Sequence, residues 1–271
     1  MKNHTSFKIG GPAKIFVQPR SIQGLICALE KFEHARIIAK GTNILAPDEG
    51  VDVVVSTLGL NSYQVDGDLI VSEAGVSLSA LCKIAAEHGL SGLEFAYGIP
   101  GTIGGAIYMN AGAYGGEICD VVEYAEVYDY DKIVKLDRSQ MEFSYRSSIF
   151  KKTHWIVLKV SLRLKRGDKQ IITKSMEEIF RKRIQTQPLD LPSAGSVFKR
   201  PRNDFYVGKA IEELGLKGFR VGDAQISTKH AGFIVNLGGA KADDVKELIK
   251  IIQQQVCKNY GVQLEPEVEI W

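Results

Sequence analysis

Apolar residues recur along this chain with two periods, one of about 3.6 and one near two. From Ser21, a residue suited to a helix N-cap, they fall at Ile22, Leu25, Ile26 and Leu29, which lie on one face of a helix. The same spacing returns at Leu78, Leu81, Ile84 and Ala85 within 77–88, and at Val245, Leu248, Ile249, Ile252 and Val256 within 243–260. Helix is also expected over 171–184, where Arg181, Lys182 and Arg183 complement the negative end of the helix dipole, and over 210–214. Apolar or alternating runs at 13–17, 36–39, 51–55, 69–72, 121–130, 133–136, 155–164 and 231–236 read as strands. The first strand, helix and second strand form a βαβ unit. It runs into the polar turn Gly41-Thr42-Asn43 and leaves through Ile44-Leu45. The middle of the chain suggests a mixed sheet of antiparallel strands with helices beside it, hence an α+β architecture. The proline-bearing segment from Gln187 to Pro192 is the expected domain boundary, and 262–271 is expected to be extended.

One stretch fits neither period. Gly98 to Gly116 reads GIPGTIGGAIYMNAGAYGG, with seven glycines in nineteen residues. Glycines after a proline, just before apolar residues that can start a helix, suit a phosphate or pyrophosphate cradle, because backbone N–H groups can approach a ligand closely. A plain glycine-rich turn is the competing reading. Neither the GxxxxGK[ST] loop nor a GxGxxG after a strand is present, so a nucleotide site here needs another scaffold. Gly41-Thr42-Asn43 offers a second set of N–H and hydroxyl donors, and two such loops in one chain favour the cradle over a turn.

Composition narrows the field. A formal net charge of +2, with no basic block, argues against a nucleic-acid surface. Cys27, Cys82, Cys119 and Cys257 form no CxxC pair and read as mostly buried thiols. The five histidines lack metal-ligand spacing, so no metal is expected. The amino terminus has no apolar signal core and no run is long enough to span a membrane, which makes the cytoplasm the expected compartment.

Several residues carry candidate chemistry. Arg146 lies in FSYRSSIF, where aromatic packing would hold a guanidinium for a carboxylate or developing anion. Ser196 lies in PSAGSVFKRP, outside any GxSxG frame; after Ala-Gly it can be a plain turn residue, and as a proton donor its weakly acidic hydroxyl could serve only a strongly basic partner. Lys199 and Arg200 follow it and suit a phosphate. Glu265, Glu267 and Glu269 alternate along the tail, so they share one face if it is a strand. His230 in STKHAGF reads as structural or as a polar contact in a cleft.

Taken together, GIPGTIGGAIYMNAGAYGG, FSYRSSIF, PSAGSVFKRP, GLKGFRVGDAQIS with KHAGFIVN, and LEPEVEIW closely resemble the UDP-N-acetylenolpyruvoylglucosamine reductase family, in its shorter subtype. The resemblance runs from TSFKIGG at Thr5 nearly to the last residue. It implies an FAD-binding domain of the vanillyl-alcohol-oxidase type, made of two α+β subdomains, and a C-terminal α+β substrate-binding domain. The implied division is 1–56 with the tail 262–271, then 57–186, then 187–261. It implies FAD and NADPH as cofactors and UDP-N-acetylglucosamine enolpyruvate as substrate, reduced to UDP-N-acetylmuramate for peptidoglycan synthesis by a cytoplasmic monomer.

By motif, Arg146 and Glu267 would stabilise the enediolate formed by hydride addition, and Ser196 would protonate it. Gly41, Thr42, Asn43, Pro100, Gly101, Thr102, Ile103, Gly104 and Gly105 would hold the cofactor. Gln187, Lys199, Arg200 and His230 would contact the UDP part. The chain departs from the family's usual pattern in AKGTN, which lacks a second glycine and has Thr42 for serine, at Ser147 for aspartate, and in the EVEIW ending. The alternatives are another FAD-linked oxidase or dehydrogenase of the same fold, and a nucleotide-binding module without catalysis.

Overall fold

Three separate apolar clusters organise the protein, a computed structural model that describes residues 1–271. The chain divides into two compact units. The first comprises Met1–Lys14, Gly41–Asp52 and Ile184–Trp271; the second comprises Ile15–Lys40 and Val53–Arg183.

The resemblance implies three domains, and packing shows which segments share a core. Phe7, Ile9 and Leu45 share a core with Ala194, Ile234, Leu248 and Val268, which draws the first residues and the 41–52 segment to the carboxyl-terminal half. Leu25, Leu29 and Val55 share another with Tyr128, Ile156 and Leu158, which draws the first helix to the middle of the chain.

In the second unit, five strands form an antiparallel sheet in the order Ile133–Asp137, Val122–Tyr128, Ile156–Arg163, Leu69–Glu73, Tyr63–Asp66. The periodicity anticipates all of these but Tyr63–Asp66. That strand is mostly exposed, so its sequence carries little apolar signal. Helices Leu78–Glu87 and Ile103–Met109 bury Leu78, Leu81, Ala85, Ile103 and Ile107 in the same core as Ile70, Ala125 and Val160. The helix Ile22–Lys31 starts where expected, with the Ser21 side chain accepting from the Gly24 N–H at 3.1 Å.

The first unit carries a four-stranded antiparallel sheet, Ser193–Ser196, Phe233–Asn236, Ala224–Ile226 and Arg220–Val221. Helix Ala242–Tyr260 packs its five predicted apolar residues into that unit's core and ends at Gly261, whose φ of 65° a Cβ would resist. The tail is less regular than expected. Only Glu269–Ile270 is strand, parallel to Ile44–Leu45, while Leu264 and Val268 anchor the rest in the core.

One expectation fails on individual residues. Of the cysteines only Cys82 is buried; Cys27 and Cys257 are exposed, on the outward sides of otherwise well-packed helices. Of the three basic residues ending helix Lys169–Thr186, Arg181 and Lys182 are exposed but Arg183 is buried.

Candidate active site

In the first unit, hydrogen bonds gather residues distant in sequence. Strand Ile44–Leu45 needs a partner, and Glu269–Ile270 supplies it, which carries the preceding residues past Asn43. The Asn43 amide then donates to the Glu267 carbonyl at 2.9 Å, and the Glu269 N–H donates to the Asn43 carbonyl at 2.9 Å. Glu267 in turn donates its N–H to the Val197 carbonyl at 2.7 Å. Ser196, one residue earlier, is exposed at the end of its strand, next to Gly195. Ser6 closes the group, its N–H reaching the Gly41 carbonyl at 3.0 Å and its hydroxyl the Ser193 carbonyl at 2.6 Å. The structure therefore brings Gly41, Asn43, Ser196 and Glu267 together, although the Asn43–Glu267 bond spans 224 residues.

Other expected contacts of this unit have partners of their own. The Lys199 ammonium pairs with the Glu265 carboxylate. Of the three alternating acids, Glu265 is thus an ion-pair partner, while Glu267 is half-buried beside Asn43. Arg200 is exposed and stacks on Tyr206 at 4.5 Å. Gln187 is half-buried at the start of the linker. His230 packs edge-on against Phe233, and its Nδ1 accepts from the Gly232 N–H at 3.1 Å. Burial holds its pKa below the ordinary value. A neutral ring with Nδ1 as acceptor suits a polar contact better than a cation.

The second unit holds the glycine-rich loop and Arg146. Thr102 caps helix Ile103–Met109 by accepting from the Gly105 N–H at 3.3 Å. The Ile103 and Gly104 N–H groups are bonded to the carbonyls of Val76 and Ala74, both at 2.9 Å. Those two N–H groups are therefore not ligand donors, and Thr102 is itself buried, which leaves half-buried Gly101 beside exposed Pro100 as the accessible part of the expected cradle. Gly104 is glycine for a packing reason, since a Cβ would lie 2.8 Å from that of Ala74. At Gly105 a Cβ would meet nothing closer than 3.7 Å, so that side of the loop is uncrowded.

Arg146 sits in a two-residue turn closed by reciprocal backbone bonds of 3.1 Å between Ser144 and Ser147, at a φ of 53°. Its guanidinium donates to the Gly112 carbonyl at 2.8 Å and lies 5.0 Å from the Tyr145 ring. Sequence reasoning missed what fixes this turn. Asn110 is completely buried, in a left-handed conformation at the end of the glycine-stretch helix. Its amide donates to Glu117 at 2.9 Å and to the Ser144 carbonyl at 3.0 Å, and its Oδ1 accepts from the Cys119 N–H at 3.2 Å. The only signal was an asparagine between two glycine-rich runs, where a left-handed residue is needed.

Comparison with known proteins decides the family. Residues 187–271 match the model of the UDP-N-acetylenolpyruvoylglucosamine reductase C-terminal domain, and residues 13–136 match an FAD-binding domain. The UDP-N-acetylenolpyruvoylglucosamine reductase of Pseudothermotoga lettingae is 64% identical over 271 residues, covering 100% of this chain and 95% of that protein. The chain belongs to this reductase family. The homologue from Thermotoga maritima is 51% identical over 271 residues, covering 99% of this chain and 95% of its own length. The crystal structure of the family's enzyme from Thermus caldophilus matches with a TM-score of 0.86 and 39% identity, over 100% of this chain and 96% of that one. The architecture is thus an α+β FAD-binding domain of the vanillyl-alcohol-oxidase type with the reductase family's own C-terminal domain.

Proposed function

We propose that this protein reduces UDP-N-acetylglucosamine enolpyruvate to UDP-N-acetylmuramate with NADPH and FAD, a step of peptidoglycan synthesis. The observation that carries this reading is the junction of Asn43, Glu267 and the Ser196 strand, because it joins a nucleotide loop to an acid and a proton donor. The donors present fit an FAD. In the second unit the half-buried Gly101 and the uncrowded side of Gly105 suit the approach of a diphosphate. When bound, FAD would supply the hydride, with NADPH as its reductant.

An enol ether accepts hydride poorly unless its carboxylate takes up the developing charge. Arg146, a fixed cation in its turn, holds that carboxylate and stabilises the enediolate. Glu267 donates a hydrogen bond to the same charge in its protonated form. Ser196 gives its hydroxyl proton to the adjacent carbon, and solvent restores the serine. The net change is one hydride and one proton added across the C=C bond. Gln187, Arg200 and His230 contact the UDP part; Lys199 contributes through its ion pair with Glu265. We read the protein as a cytoplasmic monomer; no helix is long and apolar enough to cross a membrane.

The test is anaerobic absorbance at the flavin band. NADPH should bleach it, and UDP-N-acetylglucosamine enolpyruvate should restore it. Bleaching without recovery would favour an oxidase or dehydrogenase of the same fold, and a protein that binds no flavin would defeat the reading.

A further inference from the structure

Helix Lys169–Thr186 ends with one cation in an unusual position. Arg183 is only 5% exposed, and its Nε and Nη2 have no hydrogen-bond acceptor. Its guanidinium carbon stands 5.2 Å from the ring centroid of Tyr114, in the glycine-rich stretch. The groups that act on it electrostatically are the Tyr114 phenol and the Cys82 thiol, not a carboxylate. Burial pushes the Cys82 thiol up to about 12, so it carries no charge at neutral pH. The surroundings are built around this side chain. A Cβ at Gly98 would lie 3.1 Å from the Arg183 Cδ and 2.8 Å from the Phe180 ring, which itself packs on Tyr97 at 5.6 Å. Tyr114 holds a φ of 52° and remains 46% exposed, a strained placement for a tyrosine.

A guanidinium taken from water without a counter-charge destabilises the fold. Nearly all buried polar groups in native proteins have partners, so an orphaned charge calls for one that the chain does not supply. We infer that Arg183 is the counter-ion for an anionic part of the bound flavin nucleotide: its diphosphate, or the ring oxygen that gains charge on reduction. This rests on the proposed function, which gives the Gly98–Gly116 stretch to FAD. The interaction is an oxyanion held by a planar guanidinium stacked on an aromatic ring, a geometry that suits arginine and not lysine.

The test compares wild type, Arg183→Met and Arg183→Lys, each stripped of flavin. Arg183→Met should melt higher than wild type as apoprotein, because an unpaired buried charge is gone. It should bind FAD roughly 10- to 100-fold more weakly, the range expected for hydrogen bonds to a charged group. Arg183→Lys keeps the charge without the planar fork and should fall between them in FAD affinity. Weaker binding with an unchanged midpoint potential places the diphosphate at Arg183; a lowered midpoint potential places the flavin ring there.

The inference is overturned if Arg183→Met melts lower and binds FAD like wild type, which would make Arg183 a packing residue. It is equally overturned if FAD affinity and midpoint potential stay constant while only the enolpyruvyl substrate binds more weakly. Failure of the wild type to bind FAD would strike the functional reading itself, whereas unchanged FAD binding in the variants strikes only this inference.

Discussion

The two units hold their share of the proposed chemistry by different means. In the first, the residues are joined mainly through the backbone: Glu267 N–H to the Val197 carbonyl, Glu269 N–H to the Asn43 carbonyl, Ser6 N–H to the Gly41 carbonyl. In the second, side chains make the ties. Buried Asn110 reaches Glu117, Ser144 and Cys119, Arg146 reaches Gly112, and the Ser148 hydroxyl reaches the Tyr108 carbonyl at 2.8 Å. A backbone-built site depends on the register of segments far apart in the chain, and most single substitutions leave that register intact. A site built on one buried amide depends on that residue's identity, because no other side chain both donates and accepts in the same geometry.

The contrast can be tested from its strongest consequence downward. Ser196→Ala removes the proposed proton donor of the first unit without touching a backbone tie. Anaerobic stopped-flow should show reoxidation by the enolpyruvyl substrate slowed by about 10²- to 10⁴-fold, with reduction by NADPH unchanged. Equal slowing of both half-reactions would remove the serine from its role. Asn110→Ala should be the most damaging of the structural changes. It strands the Cys119 N–H, the Ser144 carbonyl and Glu117, and should lower stability by about 2–3 kcal/mol in denaturant titration.

Asn43→Ala offers the matched comparison in the first unit. It loses the bond to the Glu267 carbonyl at a half-buried position, and the backbone pairing of Glu269 with Asn43 survives. The expected cost is about 0.5–1.5 kcal/mol. A loss equal to that of Asn110→Ala would erase the distinction between the units.

The smallest effect is a pH dependence. Burial holds the folded-state pKa of His230 below its ordinary value of 6.5, so the unfolded chain binds the proton more readily. Its stabilising contribution is present above pH 6.5 and is lost as pH falls through the depressed folded value. Melting temperatures between pH 7 and pH 5 should drop less steeply in His230→Asn than in wild type. A parallel pair of curves would mean that the histidine titrates alike in both states.

Much of this was legible before any fold was known. The spacing of Val245, Leu248, Ile249, Ile252 and Val256 dictated a helix, because only one face of a 3.6-residue repeat can meet a core. Ser21 lies at a helix start, where a side-chain oxygen satisfies an otherwise orphaned N–H. The glycine stretch, Arg146, Ser196 and Glu267 stood out as ordered motifs, and these were enough to indicate the family.

Tertiary structure decided the rest, because it depends on which distant segments share a core. No local pattern reveals that residues 1–14 and 41–52 pack with 184–271, since that grouping follows from the packing of Phe7, Ile9 and Leu45 across the length of the chain. Nor does sequence separate the glycines. Gly104 is required by the nearness of Ala74, whereas a Cβ at Gly105 would meet only an ordinary contact at 3.7 Å, and both occur in the same four letters, TIGG. Arg181, Lys182 and Arg183 read alike as cations at a helix end. Only the packing of Tyr114, Phe180 and Gly98 around the third makes it a buried charge awaiting a partner.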